Sequence, residues 1–143
     1  MSLRARDIMD RDFISLARET TVFEAAQIMK SRRHGYVIIQ TPDGKAEGIA
    51  TEWDFLSKVT AEGKDPAKVK LSEIMTADLV TVNPKAGFDD VSRIMSERQI
   101  RRILVFDQGR VAGVITARTM LRRLREYVER ISNQIARQTN YQI

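Results

Sequence analysis

The sequence predicts an α+β fold: two tandem repeats packed with pseudo-twofold symmetry, plus a long C-terminal helix. Three observations carry that prediction. A set of motifs recurs 66 positions on. Each copy pairs one helical pattern with two apolar runs about a tight turn. After the second copy an apolar stripe continues at helical spacing. The expected divisions are 1–60 for the first repeat, 61–70 for a linker, 71–125 for the second repeat and 126–143 for a helical extension.

The duplication is read residue by residue. Asp7-Ile8-Met9 matches Glu73-Ile74-Met75, and Phe13-Ile14-Ser15-Leu16 matches Leu79-Val80-Thr81-Val82. Ile28-Met29 and Arg32 match Ile94-Met95 and Arg98, and Val37-Ile38-Ile39 matches Ile103-Leu104-Val105. One deletion in a turn lowers the offset to 65, after which Gly44, Gly48, Thr51 and Leu56 match Gly109, Gly113, Thr116 and Leu121.

Each copy opens with a short strand, 13–16 or 79–82. In the first copy Thr21-Val22-Phe23-Glu24 reads as a capping box, and Val22, Ala25, Ala26 and Met29 fall on one helix face. The matching face in the second copy is Phe88, Val91, Ile94 and Met95. Two strands follow, 36–40 and 46–50, then 103–107 and 111–115. Asp43-Gly44 and Gln108-Gly109 supply the positive φ that a tight hairpin wants. A closing helix begins after Thr51 and after Thr116. Residues 61–70 are polar with Gly and Pro, hence the linker. A half of this size is marginal alone, so the halves are expected to bury their sheet faces together and leave a symmetric pair of clefts.

The last helix is longer than its counterpart and is expected to reach about residue 137. Leu121, Leu124, Val128, Ile131 and Ile135 are spaced 3-4-3-4, as in a coiled-coil seam. Two destinations are open for the seam: its own domain, or a second subunit.

Composition narrows the function classes. The chain has 143 residues, 43% hydrophobic and 30% charged, which fits one globular domain. There is no cysteine, which excludes disulfides and cysteine-held metals, and His34 is the only histidine. No apolar run approaches the ~20 residues of a membrane span. The N-terminus is charged where a signal peptide turns apolar, so a cytoplasmic setting is expected. The net charge is +5, and residues 119–143 hold five Arg and two Glu. That helix reads either as a solvated face or as a nucleic-acid or acidic-partner surface.

The junction Gly48-Ile49-Ala50-Thr51-Glu52-Trp53-Asp54 is a strand ending in a helix N-terminus, where free N–H groups face an anion. Thr51 has a hydroxyl for a phosphate, and Asp54 a carboxylate for two ribose hydroxyls. The same residues also read as a Thr-x-x-Asp cap. Arg101 and Arg102 enter the central strand of the second copy where the first has Gly35 and Tyr36. They need an anion or an outlet to solvent. His34 reads as structural or exposed, and Trp53 as packing beneath the junction.

With these motifs in hand, the chain resembles tandem CBS domains, the pair called a Bateman module, over about residues 3–125. The residues carrying the resemblance are the two Ile-Met motifs, the strands 13–16 and 79–82, Gly48-x-x-Thr51-x-x-Asp54, and Ile100 to Asp107. The resemblance implies a sensor of adenosine-containing ligands: AMP, ADP, ATP or S-adenosylmethionine. It places Thr51 at the phosphate, Asp54 on the ribose, Arg101 and Arg102 at the phosphate from the opposite repeat, and Thr76, Leu79, Val80 and Ile49 about the base. Arg118 is open to two readings, one toward that phosphate and one toward solvent. AMP or ADP is favoured, because these arginines are few for a triphosphate.

The second junction departs from the pattern. Thr119 stands where the ribose aspartate belongs and Tyr36 where a basic residue belongs. A second, weaker site of Thr116, Thr119 and Tyr36 is expected, without phosphate donors. No nucleophile–base pair, P-loop or metal cluster is present, so no enzyme, metal site or cofactor is expected. Expected partners are the adenine nucleotide, a second copy in a homodimer, and a separate, unidentified effector protein. Nucleic acid on the basic helix, or a structural dimer with degenerate clefts, are the alternatives.

Overall fold

The computed structural model describes residues 3–141. The first half contains α1 (Ala5–Ile8), β1 (Ser15–Leu16), α2 (Val22–Arg32), β2 (Tyr36–Gln40), β3 (Ala46–Thr51) and α3 (Glu52–Phe55), which runs on through a π-helical turn, Leu56–Thr60. The second contains α4 (Leu71–Ile74), β4 (Thr81–Val82), α5 (Phe88–Arg98), β5 (Arg102–Asp107), β6 (Arg110–Thr116) and α6 (Ala117–Tyr141). Each half has a three-stranded sheet, β1-β2-β3 or β4-β5-β6, with its first pair parallel and its second antiparallel.

The local chemistry explains these elements. The Thr21 side chain accepts from the Glu24 N–H, so the N-cap of α2 forms, while the reciprocal half of the expected box does not. Val22, Ala25 and Met29 are buried beneath α2, and Ala26 lies at the margin. In the second hairpin Gln108 (φ 54°) and Gly109 (φ 77°) both take positive φ, which matches the right-handed twist of the strands they join. The opening strands are shorter than the apolar runs 13–16 and 79–82. Pairing begins where the Ile38 N–H donates to the Ile14 carbonyl, and Phe13 instead packs between the halves.

The central strands are buried on both faces. On one side of the first sheet Val37 and Ile39 meet α2 residues Val22, Ala25 and Met29. On the other, Tyr36 and Ile38 meet Leu104 and Val114 of the second sheet. The second sheet repeats this, with Ile103, Val105 and Ile115 in its own core.

The helices that open each sequence repeat pack in the opposite half. Ala5 and Ile8 of α1 lie in the second core, and Leu71 and Ile74 of α4 lie in the first. Backbone bonds tie the exchange: Ala5 N–H to the Ala86 carbonyl at 2.7 Å, and Leu71 N–H to the Thr20 carbonyl at 2.9 Å. The stretch 61–70 joins the first core, since Val69 is buried there and its carbonyl accepts from the Val22 N–H at 2.8 Å. The Pro66 carbonyl accepts from the Phe23 N–H, so this stretch satisfies donors that the start of α2 leaves free.

Two glycines make the exchange possible. A Cβ on Gly48 would sit 2.9 Å from the Thr76 carbonyl oxygen and 2.8 Å from Met75 Sδ. On Gly113 it would sit 2.9 Å from the Asp10 carbonyl oxygen and 2.7 Å from Met9 Sδ. The segment leaving each exchanged helix therefore pairs with the strand at a distance only glycine permits: Ile49 with Thr76, and Val114 with Asp10.

Met120 is the last residue of α6 buried in the body. Beyond it the stripe faces outward, with Leu121 68% and Val128 53% exposed. Of the two destinations open to the seam, packing on its own domain is not taken over most of its length. Among the described residues no helix is long and apolar enough to cross a membrane.

Gly113→Ala is expected to destabilise the protein by about 1–3 kcal/mol, because backbone and the partly buried Met9 must both move to admit the methyl. Urea unfolding checks this. An unchanged midpoint would mean that the close approach at Gly113 is not part of the folded state.

Candidate functional site

Between the halves, where β3 ends and β5 begins, lies a cleft of ≈ 490 Å³. Ile49 and Thr51 come from the end of β3, and Thr76, Leu79 and Val80 from the segment after α4. Arg101 and Arg102 come from the start of β5. The parallel pairing of β4 with β5 brings the last two groups together: Thr81 pairs with Leu104, which sets Leu79 and Val80 beside the strand that the arginines open. The cleft thus collects seven of the expected residues. It joins an apolar wall, Ile49, Leu79, Val80, Ile100 and Leu104, to two cations and two hydroxyls.

Arg102 is held in place. Its Nη2 lies 2.9 Å from Glu52 Oε1, and its guanidinium carbon lies 5.1 Å from the Tyr36 ring centroid. Arg101 makes no ion pair among the described residues. Arg101 thus has the outlet to solvent that the sequence allowed, whereas Arg102 is paired across the halves with a carboxylate that the sequence reading did not name.

Asp54 and Arg118 do not line this cleft. Asp54 is 7% exposed and closes a reciprocal capping box. Its Oδ2 accepts from the Thr51 N–H at 2.9 Å and from the Thr51 hydroxyl at 3.2 Å. Its Oδ1 lies 3.0 Å from Lys58 Nζ. Thr119 does the same at the second junction, where its hydroxyl accepts from the Thr116 N–H and its own N–H donates to the Thr116 hydroxyl, both at 3.0 Å. Both positions therefore cap a helix, whether Asp or Thr fills them.

Trp53, expected to pack beneath the junction, is 67% exposed and stands at the cleft rim. Asp78, Gln99, Ile100 and Glu52 also line the cleft, and the sequence reading did not single them out as site residues. Asp78 follows Thr76 by two residues, and Gln99 and Ile100 directly precede the arginines. Adjacency to already chosen residues was the available signal.

The pseudo-symmetric cleft has a volume of ≈ 270 Å³ and gathers Tyr36, Thr116 and Thr119. Arg118 lines this cleft, which corrects the reading that aimed it at the first cleft's phosphate. Arg33, Arg102 and Arg122 line it too, with Asp10 and His34. The expectation that this cleft lacks phosphate donors is therefore wrong. Its cations come from the α2 C-cap, the start of α6 and the start of β5, not from the position aligned with Arg101. Burial, and then Asp10, push the Tyr36 phenol up to about 12, so it stays neutral here.

Comparison with known proteins agrees with the two-repeat fold. The CBS domain family model matches residues 5–61 and again 71–126. The chain is 31% identical over 110 residues to the CBS domain-containing protein YhcV of Bacillus subtilis, covering 77% of each chain. It is 29% identical over 123 residues to Hypoxic response protein 1 of Mycobacterium tuberculosis, covering 86% of each. Among solved structures, the hexameric CBS-CP12 protein from bloom-forming cyanobacteria superposes with a TM-score of 0.77 at 32% identity, covering 85% of this chain and 67% of that one.

Two outcomes follow from the junctions. Asp54→Ala is expected to cost about 1–2 kcal/mol through the lost cap and ion pair, read as an earlier melting transition. Tyr36 governs an alkaline limb. Above its unfolded pKa of about 10 the unfolded chain releases a proton that the folded chain keeps until about 12. Stability therefore falls between those values, by roughly 2–3 kcal/mol for the full interval. In denaturant titrations across pH 9–12, Tyr36→Phe is expected to show a shallower decline than the parent chain. Identical slopes would remove this assignment.

Proposed function

This chain belongs to the CBS domain family, and we propose that it is a non-catalytic sensor whose ligand, an adenosine-containing nucleotide, binds in the first cleft. The observation that carries the reading is the meeting of an apolar wall with Thr51, Arg101 and Arg102 in one cavity of ≈ 490 Å³. A flat base needs the former, a phosphate needs the latter, and the volume falls in the range of small-molecule sites. AMP or ADP suits the cation supply better than ATP, because only Arg101 and Arg102 face the phosphate here. S-adenosylmethionine, a cation at sulfur, gains least from that pair.

Ile49, Leu79 and Val80 are assigned to the base, Thr76 to its edge, and Thr51 with the two arginines to the phosphate. For the ribose the motif points to Asp54 and the lining points to Asp78. Asp54 reaches a sugar only by loosening its cap and its Lys58 pair, whereas Asp78 is exposed on the lip. Comparing AMP with its 2′-deoxy analogue separates them. The acceptor is the residue whose change to Asn removes the preference for the 2′-hydroxyl.

The occupied state is passed on through an assembly of copies of this chain, a homodimer built on α6, to a separate effector protein. Leu121, Leu124, Val128 and Ile131 form the exposed stripe that a second copy would cover. A cytoplasmic setting agrees with the cysteine-free composition. The nucleic-acid alternative loses ground, since Arg123 and Arg125 of α6 are paired with Glu126 and Glu129.

Calorimetry with AMP, ADP, ATP and S-adenosylmethionine is expected to give about one adenosine-ligand site per chain, with AMP or ADP tightest. Arg101→Ala is expected to weaken AMP about 10-fold or more, from the loss of a charge-assisted contact. No binding by any of the four overturns the sensor reading. In sedimentation, the double change Leu124→Glu and Ile131→Glu is expected to dissociate the homodimer. A parent chain that is monomeric at micromolar concentration rejects that assembly.

A further inference from the structure

The two clefts differ by an exchange of chemistry at matched positions. Counted from the junction threonines Thr51 and Thr116, Trp53 matches Arg118. Across the clefts, Gln99 matches Arg33 and Ile100 matches His34. Each member of these pairs lines its own cleft. Where the first cleft has an indole, an amide and an alkyl group, the second has two guanidinium groups and an imidazole. The same scaffolding thus carries uncharged groups at these three positions in the first cleft and basic ones in the second.

Three of the four arginines that line the second cleft, Arg33, Arg118 and Arg122, lack an ion-pair partner among the described residues. Asp10 is the sole carboxylate in the lining, against four arginines. Arg102 already has Glu52. Farther along α6 two arginines are paired within the helix, Arg123 with Glu126 and Arg125 with Glu129. Arg118 and Arg122 stand one turn apart at the positive end of the same helix, whose first turn contains no acidic residue. Like charges at that spacing, and cations at that end, both disfavour the helix. An anion in the cleft reverses both terms. His34 Nδ1 is buried beside it with no hydrogen-bond partner.

Size and shape choose the kind of anion. The volume of ≈ 270 Å³ lies below the roughly 300 Å³ at which ordinary small-molecule sites begin. The one aromatic ring, Tyr36, already has Arg102 over it and His34 stacked against it at 6.2 Å. No apolar wall remains for a base. We propose that the second cleft is a binding site for a compact, multiply charged oxyanion of the phosphate class, held by Arg33, Arg118 and Arg122 with Arg102 as the cation shared between the two clefts.

Inorganic pyrophosphate titrated into the full chain, with no nucleotide present, tests this by calorimetry. The expected result is one site per chain, weakened about 10-fold or more by Arg118→Ala and by Arg122→Ala, as loss of a charge-assisted contact requires. Arg125→Ala, on α6 but outside both clefts, is expected to leave it unchanged. Arg118→Gln keeps the helix and much of the side-chain length, and is expected to weaken binding as Arg118→Ala does. No binding of pyrophosphate, indifference to Arg118→Ala and Arg122→Ala, or an equal loss in Arg125→Ala would overturn the proposal. So would tighter binding of a short single-stranded oligonucleotide at the same salt, lost in the same variants. With nucleotide absent, any of these failures leaves the reading of the first cleft untouched.

Discussion

Burial of each central strand on both faces is the constraint from which the rest of the structure follows. A three-stranded sheet with a two-residue first strand has little area to bury, and a helix covers only one side. β2 and β5 are apolar at consecutive positions, not alternating ones, so their second face has to meet something dry. Each meets the other. Ile38 and Leu104 touch across the pseudo-twofold axis, and Tyr36 and Val114 close the contact. Neither half supplies this contact alone, so the body folds as a pair.

The exchange of α1 and α4 serves the same constraint. One eleven-residue helix packs on the outer face of each sheet, and it does not form that core alone. The remainder is filled by a short helix borrowed from the other half, Leu71 and Ile74 in one core and Ala5 and Ile8 in the other. The borrowed segment then returns along the strand edge past Gly48 or Gly113. This return builds the clefts, because it carries Thr76 to Val80, or Asp10, to the end of the opposing sheet. Site and core are consequences of one crossing.

How far the sequence discloses this depends on the range of the interaction. The duplication, the hairpins and the helix faces are local or periodic, and the spacing of Val22, Ala25 and Met29 or the Gln108-Gly109 turn reveals them. The exchange is not local. Ile8 and Ile74 read as apolar residues of their own repeats, and nothing in their spacing says which core receives them. Arg101, Arg102 and Thr51 were legible because they stand at strand ends that the repeat places face to face. The cations of the second cleft are hidden for the converse reason: the only positions that the repeat aligns with the arginine pair are Gly35 and Tyr36. Arg33 lies at a left-handed C-cap, and Arg118 and Arg122 lie in a helix, so their convergence appears only in three dimensions. The dual reading of Asp54 also had a physical origin. A carboxylate three residues after an N-cap threonine is sited equally for the cap and for a ligand at the same helix end.

Arg102 gives the two clefts a common element. Its guanidinium lines both, rests on Tyr36 of the first half, and pairs with Glu52 at the first position of α3. Glu52 is 62% exposed at its side chain, so this pair is weak and readily exchanged. An anion in either cleft competes with the same carboxylate for the same cation. The consequence reaches beyond the clefts through two matched backbone bonds. The Glu52 N–H donates to the Gly35 carbonyl at 3.0 Å, and the Ala117 N–H donates to the Arg101 carbonyl at 2.9 Å. The residue preceding each central strand is thereby tied to the first residue of each closing helix. One of those helices is α6, which carries the exposed apolar stripe. A charge placed at Arg101 and Arg102 therefore acts one hydrogen bond away from the start of the helix most available to a partner. Duplication supplied two equivalent junctions. Divergence attached an exposed twenty-five-residue helix to only one of them.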